Sequence, residues 1–224
     1  MLQLSPRLAL CAELVRPGRA LADIGTDHAY LPIWLLQNGK IPRALACDVN
    51  PGPLEAAQRN ARRYGIGQEL RLALSDGLRE VGPGEAEDIV IAGMGGELIL
   101  RIVEEAPWLR DGTKRLVLQP MSMVDRLRAG LWELGFPIRQ ERAVVDGGKA
   151  YSAFAAEYAG SLPAYDRLYP YMGLLGPEDP AANSYAVKTA RGLLNRLRGA
   201  EHEGDQKTAA ELRLVLEELS RRYG

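Results

Sequence analysis

The sequence predicts an α/β fold: a mostly parallel, doubly wound sheet of seven strands, followed by an antiparallel helical hairpin. Three observations carry this. Short apolar runs alternate with longer helical patterns through the first 160 residues, the spacing of successive βαβ units. Only a turn, Asp146-Gly147-Gly148, separates the last two runs, which makes them an antiparallel pair. Two apolar stripes at helical spacing close the chain after a segment rich in proline and glycine.

The elements follow in order. An amphipathic helix near Pro6 to Val15 leads the chain. Strands are expected at Ala20 to Ile24, Arg43 to Val49, Leu70 to Leu74, Asp88 to Ala92, Leu116 to Gln119, Ile138 to Val145 and Tyr151 to Glu157. The connecting helices fall at Leu31 to Gln37, Pro53 to Tyr64, Glu97 to Glu105 and Met123 to Leu134. Residues Gly160 to Pro180 contain Pro163, Pro170, Pro177 and Pro180 and read as a linker with one short helix. Beyond it, Ala186, Ala190, Leu193 and Leu197 form one stripe and Ala209, Leu212, Leu216 and Leu219 a second, each able to satisfy the other across a turn at Gly199 to Asp205. The expected organisation is an α/β domain over 1–160, a linker over 161–180 and the hairpin over 181–224.

Composition narrows the function classes. The 224 residues are 46% hydrophobic, enough for a sizeable core. Runs such as Leu31 to Leu36 are far too short to span a bilayer, which needs roughly 20 apolar residues. With 28 Lys plus Arg against 29 Asp plus Glu, no bulk field draws a polyanion, so a nucleic acid would have to be held by local patches. Cys11 and Cys47, both in apolar stretches, read as core thiols in a reducing cytoplasm, and the N-terminus lacks a secretion signal. Neither a zinc-spaced Cys and His cluster nor a Ser, His and Asp triad is supported.

The chemistry lies at strand ends. DIGTDHAYLP, Asp23 to Pro32, follows the first strand and opens a helix. Its single glycine, with Asp27 where a dinucleotide fingerprint has its second, disfavours a pyrophosphate. Asp23 before Gly25 and Asp48 at the end of the next strand instead match the class I S-adenosylmethionine (SAM) pattern, in which Asp48 accepts hydrogen bonds from both ribose hydroxyls. Ser75-Asp76-Gly77 ends the third strand, where an acid meets the adenine amino group, and IAGMGG, Ile91 to Gly96, ends the fourth with glycines that leave room for a flat target. Four motifs at four consecutive strand ends converge on one crevice. The cofactor residues expected are Asp23, Gly25, Thr26, Asp48, Val49, Asp76, Gly77 and Gly93.

Together with LSPRL (Leu4 to Leu8), GPLEAA (Gly52 to Ala57), LQP (Leu118 to Pro120) and DGGKAY (Asp146 to Tyr151), these motifs resemble the bacterial tRNA (adenine-N1)-methyltransferases that modify nucleotide 22, over about 150 residues. Met121 stands where that family usually has asparagine. The resemblance implies a class I SAM-dependent methyltransferase fold, Rossmann-like and seven-stranded, with SAM as cofactor and tRNA as partner. With the composition, this gives an expected cytoplasmic protein with no metal and no membrane partner, a monomer being favoured and the oligomeric state left open.

Asp27, His28 and Tyr30 are the candidates for the chemical step. Each has an alternative: Asp27 as a helix cap, His28 as a helix-start residue bonding backbone, Tyr30 as packing. Met94, Gly95 and Gly96 are expected at the target base, and Arg7, Lys188 and Arg191 on the tRNA, with Arg16, Arg19, Arg59, Arg62, Arg63 and Arg198 as further basic positions. Lys149 is expected at the surface and Tyr151 in the core. Two rival functions share the fold: a small-molecule methyltransferase and a non-catalytic SAM- or RNA-binding regulator.

Overall fold

The computed structural model describes residues 2–160, 162 and 164–224; Ser161 and Pro163, within the expected linker, lie outside the described residues. The chain opens with helix α1 (Pro6–Leu14), whose N-cap Ser5 accepts from the Leu8 amide. Then come β1 (Leu21–Ile24), α2 (Tyr30–Gln37), β2 (Ala44–Asp48), α3 (Pro51–Arg63) and β3 (Leu70–Leu74). After these follow β4 (Asp88–Gly95), α4 (Gly96–Glu104), β5 (Arg115–Ser122), α5 (Val124–Glu133), β6 (Ile138–Asp146) and β7 (Lys149–Glu157). The sheet order is β3-β2-β1-β4-β5-β7-β6. Pairings from β3 to β5 are parallel, while β7 inserts antiparallel between β5 and β6. Strand order reverses between β1 and β4, so their carboxyl ends open the crevice in which such sheets bind ligands.

The expected fold is borne out, with shifted boundaries at informative places. Strand β4 continues past Ala92 to Gly95 because Gly93, at φ +80°, takes up a bulge that lets Met94 pair with Pro120 and Gly95 with Ser122. A proline is tolerated there because the ladder is already irregular. The hairpin turn falls at Gly204 and Asp205, not across Gly199 to Asp205: α7 (Pro180–Glu203) runs through Gly199 and ends on Gly204 at φ +74°. Asp205 then caps α8 (Gln206–Tyr223) by accepting from the Thr208 amide at 3.0 Å.

Two apolar layers cover the two faces of the sheet, and a third cluster joins the hairpin to it. In that cluster Ala186, Leu193, Leu212 and Leu219 from the expected stripes meet Ala150 of β7. They also meet Leu168, Met172 and Leu175, around the short helix α6 (Tyr169–Met172). The stripes therefore cover β7 and the segment before α7 as well as each other. At this junction Arg128 of α5 is fully buried and pairs with Glu141 of β6 at 2.6 Å. Its remaining donors reach the carbonyls of Pro170 and Tyr171 at 3.1 and 2.7 Å, Ser152 Oγ at 3.1 Å and Tyr185 Oη at 3.3 Å. Gly173, at φ +56°, is required because a Cβ would run into the Glu141 carboxylate.

No helix among the described residues is long and apolar enough to cross a membrane.

Candidate cofactor and target crevice

One pocket opens at the β1/β4 switch point, lined by Ser5, Arg7, Asp23, Asp27, Tyr30, Gly93 and Gln119 among others. Asp23 is its buried acid: the side chain accepts from Thr26 Oγ1 at 2.6 Å, and burial, reinforced by nearby Asp48, pushes its pKa up from 3.8 to about 6. Among the described residues no cation pairs with it. The Thr26 amide bonds the Cys47 carbonyl at 2.8 Å, which ties the loop after β1 to β2. Gly25, at φ +71°, is where the Met94 methyl packs; a Cβ would collide with it. Gly93 has open space in front of its Cα and bares backbone to the pocket.

Asp48 stands at the end of the adjoining strand, its Oδ1 accepting from the Asn50 amide at 2.8 Å, and Val49 beyond it is 60% exposed. An acceptor beside an exposed apolar side chain suits a sugar edge next to a flat base. Further toward the sheet edge, the Asp76 carboxylate meets Arg79 at 3.3 Å. Gly77 makes its close approach to Ile102 of α4, so its lack of a side chain serves helix packing.

The mouth is a strained turn. His28 at φ +63° and Ala29 at φ +55° are consecutive left-handed non-glycine residues, held by the Asn60 side chain donating to the His28 carbonyl at 3.0 Å. Such conformations persist only where surroundings enforce them, and they gather at functional sites. The N-cap of α2 is Ala29, without a side-chain cap, so Asp27 is not a capping residue. Its carboxylate is 83% exposed at the crevice mouth and meets His28 Nε2 at 2.9 Å. The His28 ring lies 5.6 Å from that of Tyr30.

The expected target residues separate. Met94 packs on Gly25 and the core, Gly95 sits beside Ser122 Oγ, and Gly96 is buried against the carbonyls of Ser122 and Met123, leaving no room for a Cβ. The last two glycines thus admit the loop after β5, and of the motif's three glycines Gly93 lines the pocket, beside Ala92. Arg7 lies at the crevice, donating to Asp146 at 2.8 Å and to Met121 Sδ at 3.0 Å, with its guanidinium 5.0 Å from the Tyr151 ring centre. Lys188 donates to the Ala150 carbonyl at 2.7 Å and faces the same ring at 4.8 Å. Tyr151 is thus half-buried between two cations, not a core residue. Arg191 is exposed on α7 beside β7.

Arg16 and Arg19 lie at the opposite end of the sheet. Arg16 pairs with buried Asp88 at 2.6 Å at the start of β4, and Arg19 with Glu87 at 3.0 Å, so both tie structure together. Cys11 and Cys47 are buried, free thiols with pKa values pushed up to about 12, chiefly by burial. No group of three or more metal-ligating side chains occurs among the described residues. Ser5 and Gln119 line the pocket without having been singled out, although both lie in the motifs LSPRL and LQP. Gln119 is buried at the end of an apolar strand, and that misplaced polarity was the available signal.

Residues 4–154 match a methyltransferase domain family. The chain is 37% identical to the tRNA (adenine(22)-N(1))-methyltransferase of Bacillus subtilis over 177 residues, 79% of this chain and 74% of that one. The crystal structure of the B. subtilis m1A22 tRNA methyltransferase superposes with a TM-score of 0.87 at 28% identity, covering 100% of both chains. A Streptococcus pneumoniae structure in complex with S-adenosyl-L-methionine superposes at 0.82 with 33% identity, over 96% of this chain and 100% of that one.

Proposed function

Because this chain belongs to the tRNA (adenine(22)-N(1))-methyltransferase family, we propose that it transfers the methyl group of SAM to N1 of adenine 22 in tRNA. The observation that carries the reading is the crevice between β1 and β4. Asp23, a buried carboxyl that pairs with no cation among the described residues, and bare backbone at Gly93 adjoin the ribose acceptor Asp48. These residues fit a cationic nucleoside cofactor: Asp23 complements positive charge, Asp48 accepts from ribose hydroxyls, and Val49 covers the adenine. When bound there, SAM supplies an electrophilic methyl on sulfonium.

Adenine N1 already carries a lone pair, so the chain need not remove a proton before transfer. Its task is placement. N1 is paired or stacked in folded tRNA, so the base must be extruded to reach the crevice. Tyr30 and the His28 ring offer it a wall at the mouth, and the Asp27 carboxylate faces the positive charge that methylation leaves on the ring. Arg7 borders the same opening. The helical hairpin, with Arg191 on its outer face, extends the surface available to the RNA. This reading places the protein with tRNA in the bacterial cytoplasm.

Incubating the protein with methyl-labelled SAM and total bacterial tRNA, then mapping the labelled nucleoside, tests this. The expected product is 1-methyladenosine at position 22. Label on another base, or none on RNA, overturns the reading.

A further inference from the structure

A second groove lies between the loop after β5 and helix α7, lined by Met121, Met123, Tyr171, Tyr185, Gly192 and Leu193 among others, with a volume of about 240 Å³. We propose that it holds the base of the nucleotide adjoining the target adenine. The proposal rests on the tRNA-methyltransferase reading above and deepens it by assigning a second base subsite.

Four observations converge. The groove adjoins the crevice across a single contact: Arg7, which lines the crevice, donates to the sulfur of Met121, which lines the groove. A strand leaving the crevice next to an extruded base passes there. Second, Gly192 stands in the middle of α7, where glycine costs about 1 kcal/mol relative to alanine, and nothing lies within 4 Å of where its Cβ would stand. Packing does not require this glycine, and its effect is to keep the groove open.

Third, the loop is built to stand there. Gly96 admits the Ser122 and Met123 carbonyls, and Met123 takes a left-handed φ of +51°, which leaves the Met121 and Met123 side chains 37% and 40% exposed. Exposed, adaptable thioethers are poor surface residues and good partners for a flat ring. Fourth, the cations at the rim are already engaged: Arg196 with Asp125 at 2.8 Å, and Lys188 with the Ala150 carbonyl. The groove therefore suits an aromatic base more than a phosphate. Its volume is below the roughly 300 to 1,000 Å³ of drug-sized sites, a size for one ring system.

The test is Gly192→Leu, which inserts a good helix former into open space. Steady-state methylation is measured with intact tRNA and with tRNAs abasic at the nucleotide on either side of the target. For the parent, one abasic substitution should lower kcat/KM about 5- to 150-fold, the worth of one stacked base. Gly192→Leu should lower kcat/KM on intact tRNA by a similar factor, lose the penalty of that abasic site, leave SAM affinity unchanged, and raise rather than lower the unfolding temperature, since a helix former replaces glycine in open space. Equal kcat/KM for Gly192→Leu and parent overturns the proposal, as does an unchanged abasic penalty or a change in oligomeric state, which would make the groove a contact between copies. Failure of the parent itself to methylate tRNA would instead strike the underlying reading.

Discussion

Asp23 and Glu141 are both acids folded away from water, in opposite circumstances. Glu141 lies at the junction with the hairpin, its carboxylate taken up by Arg128 at 2.6 Å and by the Leu174 amide at 2.9 Å. Asp23 lies in the crevice with one hydroxyl donor and, among the described residues, no cation, and its pKa is raised to about 6. The junction satisfies its own charge. The crevice leaves a charge unsatisfied, which costs stability and creates affinity for a cationic ligand.

Breaking the junction should have the largest effect. Glu141→Leu strands a buried guanidinium, and the expected loss is about 3 to 5 kcal/mol in urea unfolding. A loss below about 1 kcal/mol would show that the pair is dispensable there.

The crevice should respond in the opposite direction. The native protein holds a proton on Asp23 up to about pH 6, whereas the unfolded chain releases it near 3.8. Stability present below pH 3.8 is therefore lost as pH rises through 6. Asp23→Asn, which keeps the Thr26 bond, should be more stable than the parent at pH 8 by up to about 3 kcal/mol, with the gain gone near pH 4. Because cationic SAM favours the ionised acid, parental SAM affinity should fall below pH 6. Unfolding curves at several pH values, with calorimetry of SAM binding, check both; a pH-independent difference would remove the charge argument.

Asp27 sharpens the contrast at the mouth. Asp27→Asn keeps shape and removes charge at a residue that caps nothing, so stability and SAM affinity should hold while the single-turnover rate drops about 10²-fold. A parental rate would exclude electrostatic help from this carboxylate. Asp48→Ala should act on binding alone, weakening SAM roughly 10- to 150-fold by calorimetry. An unchanged dissociation constant would take the ribose away from Asp48.

Much of this was legible along the chain because its causes are local. Period-two and period-3.6 patterns marked the strands and helices, and acids and glycines at strand ends marked the crevice through Asp23, Gly25, Asp48 and Gly93. The sequence did not show where one residue type serves distant partners. Gly77 and Gly96 look like ligand glycines, yet they admit Ile102 and the Met123 carbonyl. Arg16 looks like a free surface cation, yet it neutralises Asp88, 72 residues away.

By itself, then, the sequence determined the layered α/β fold, the strand ends that carry the site, and the turn of the β-hairpin, because propensity and periodicity act over a few residues. Tertiary structure alone decided that Arg128 and Glu141 lock the hairpin to the sheet, that Asp27 caps no helix and stays exposed, and that Met121 and Gly192 face one groove. Those outcomes depend on contacts between segments far apart in the chain, where charge and space are balanced only after the elements have packed.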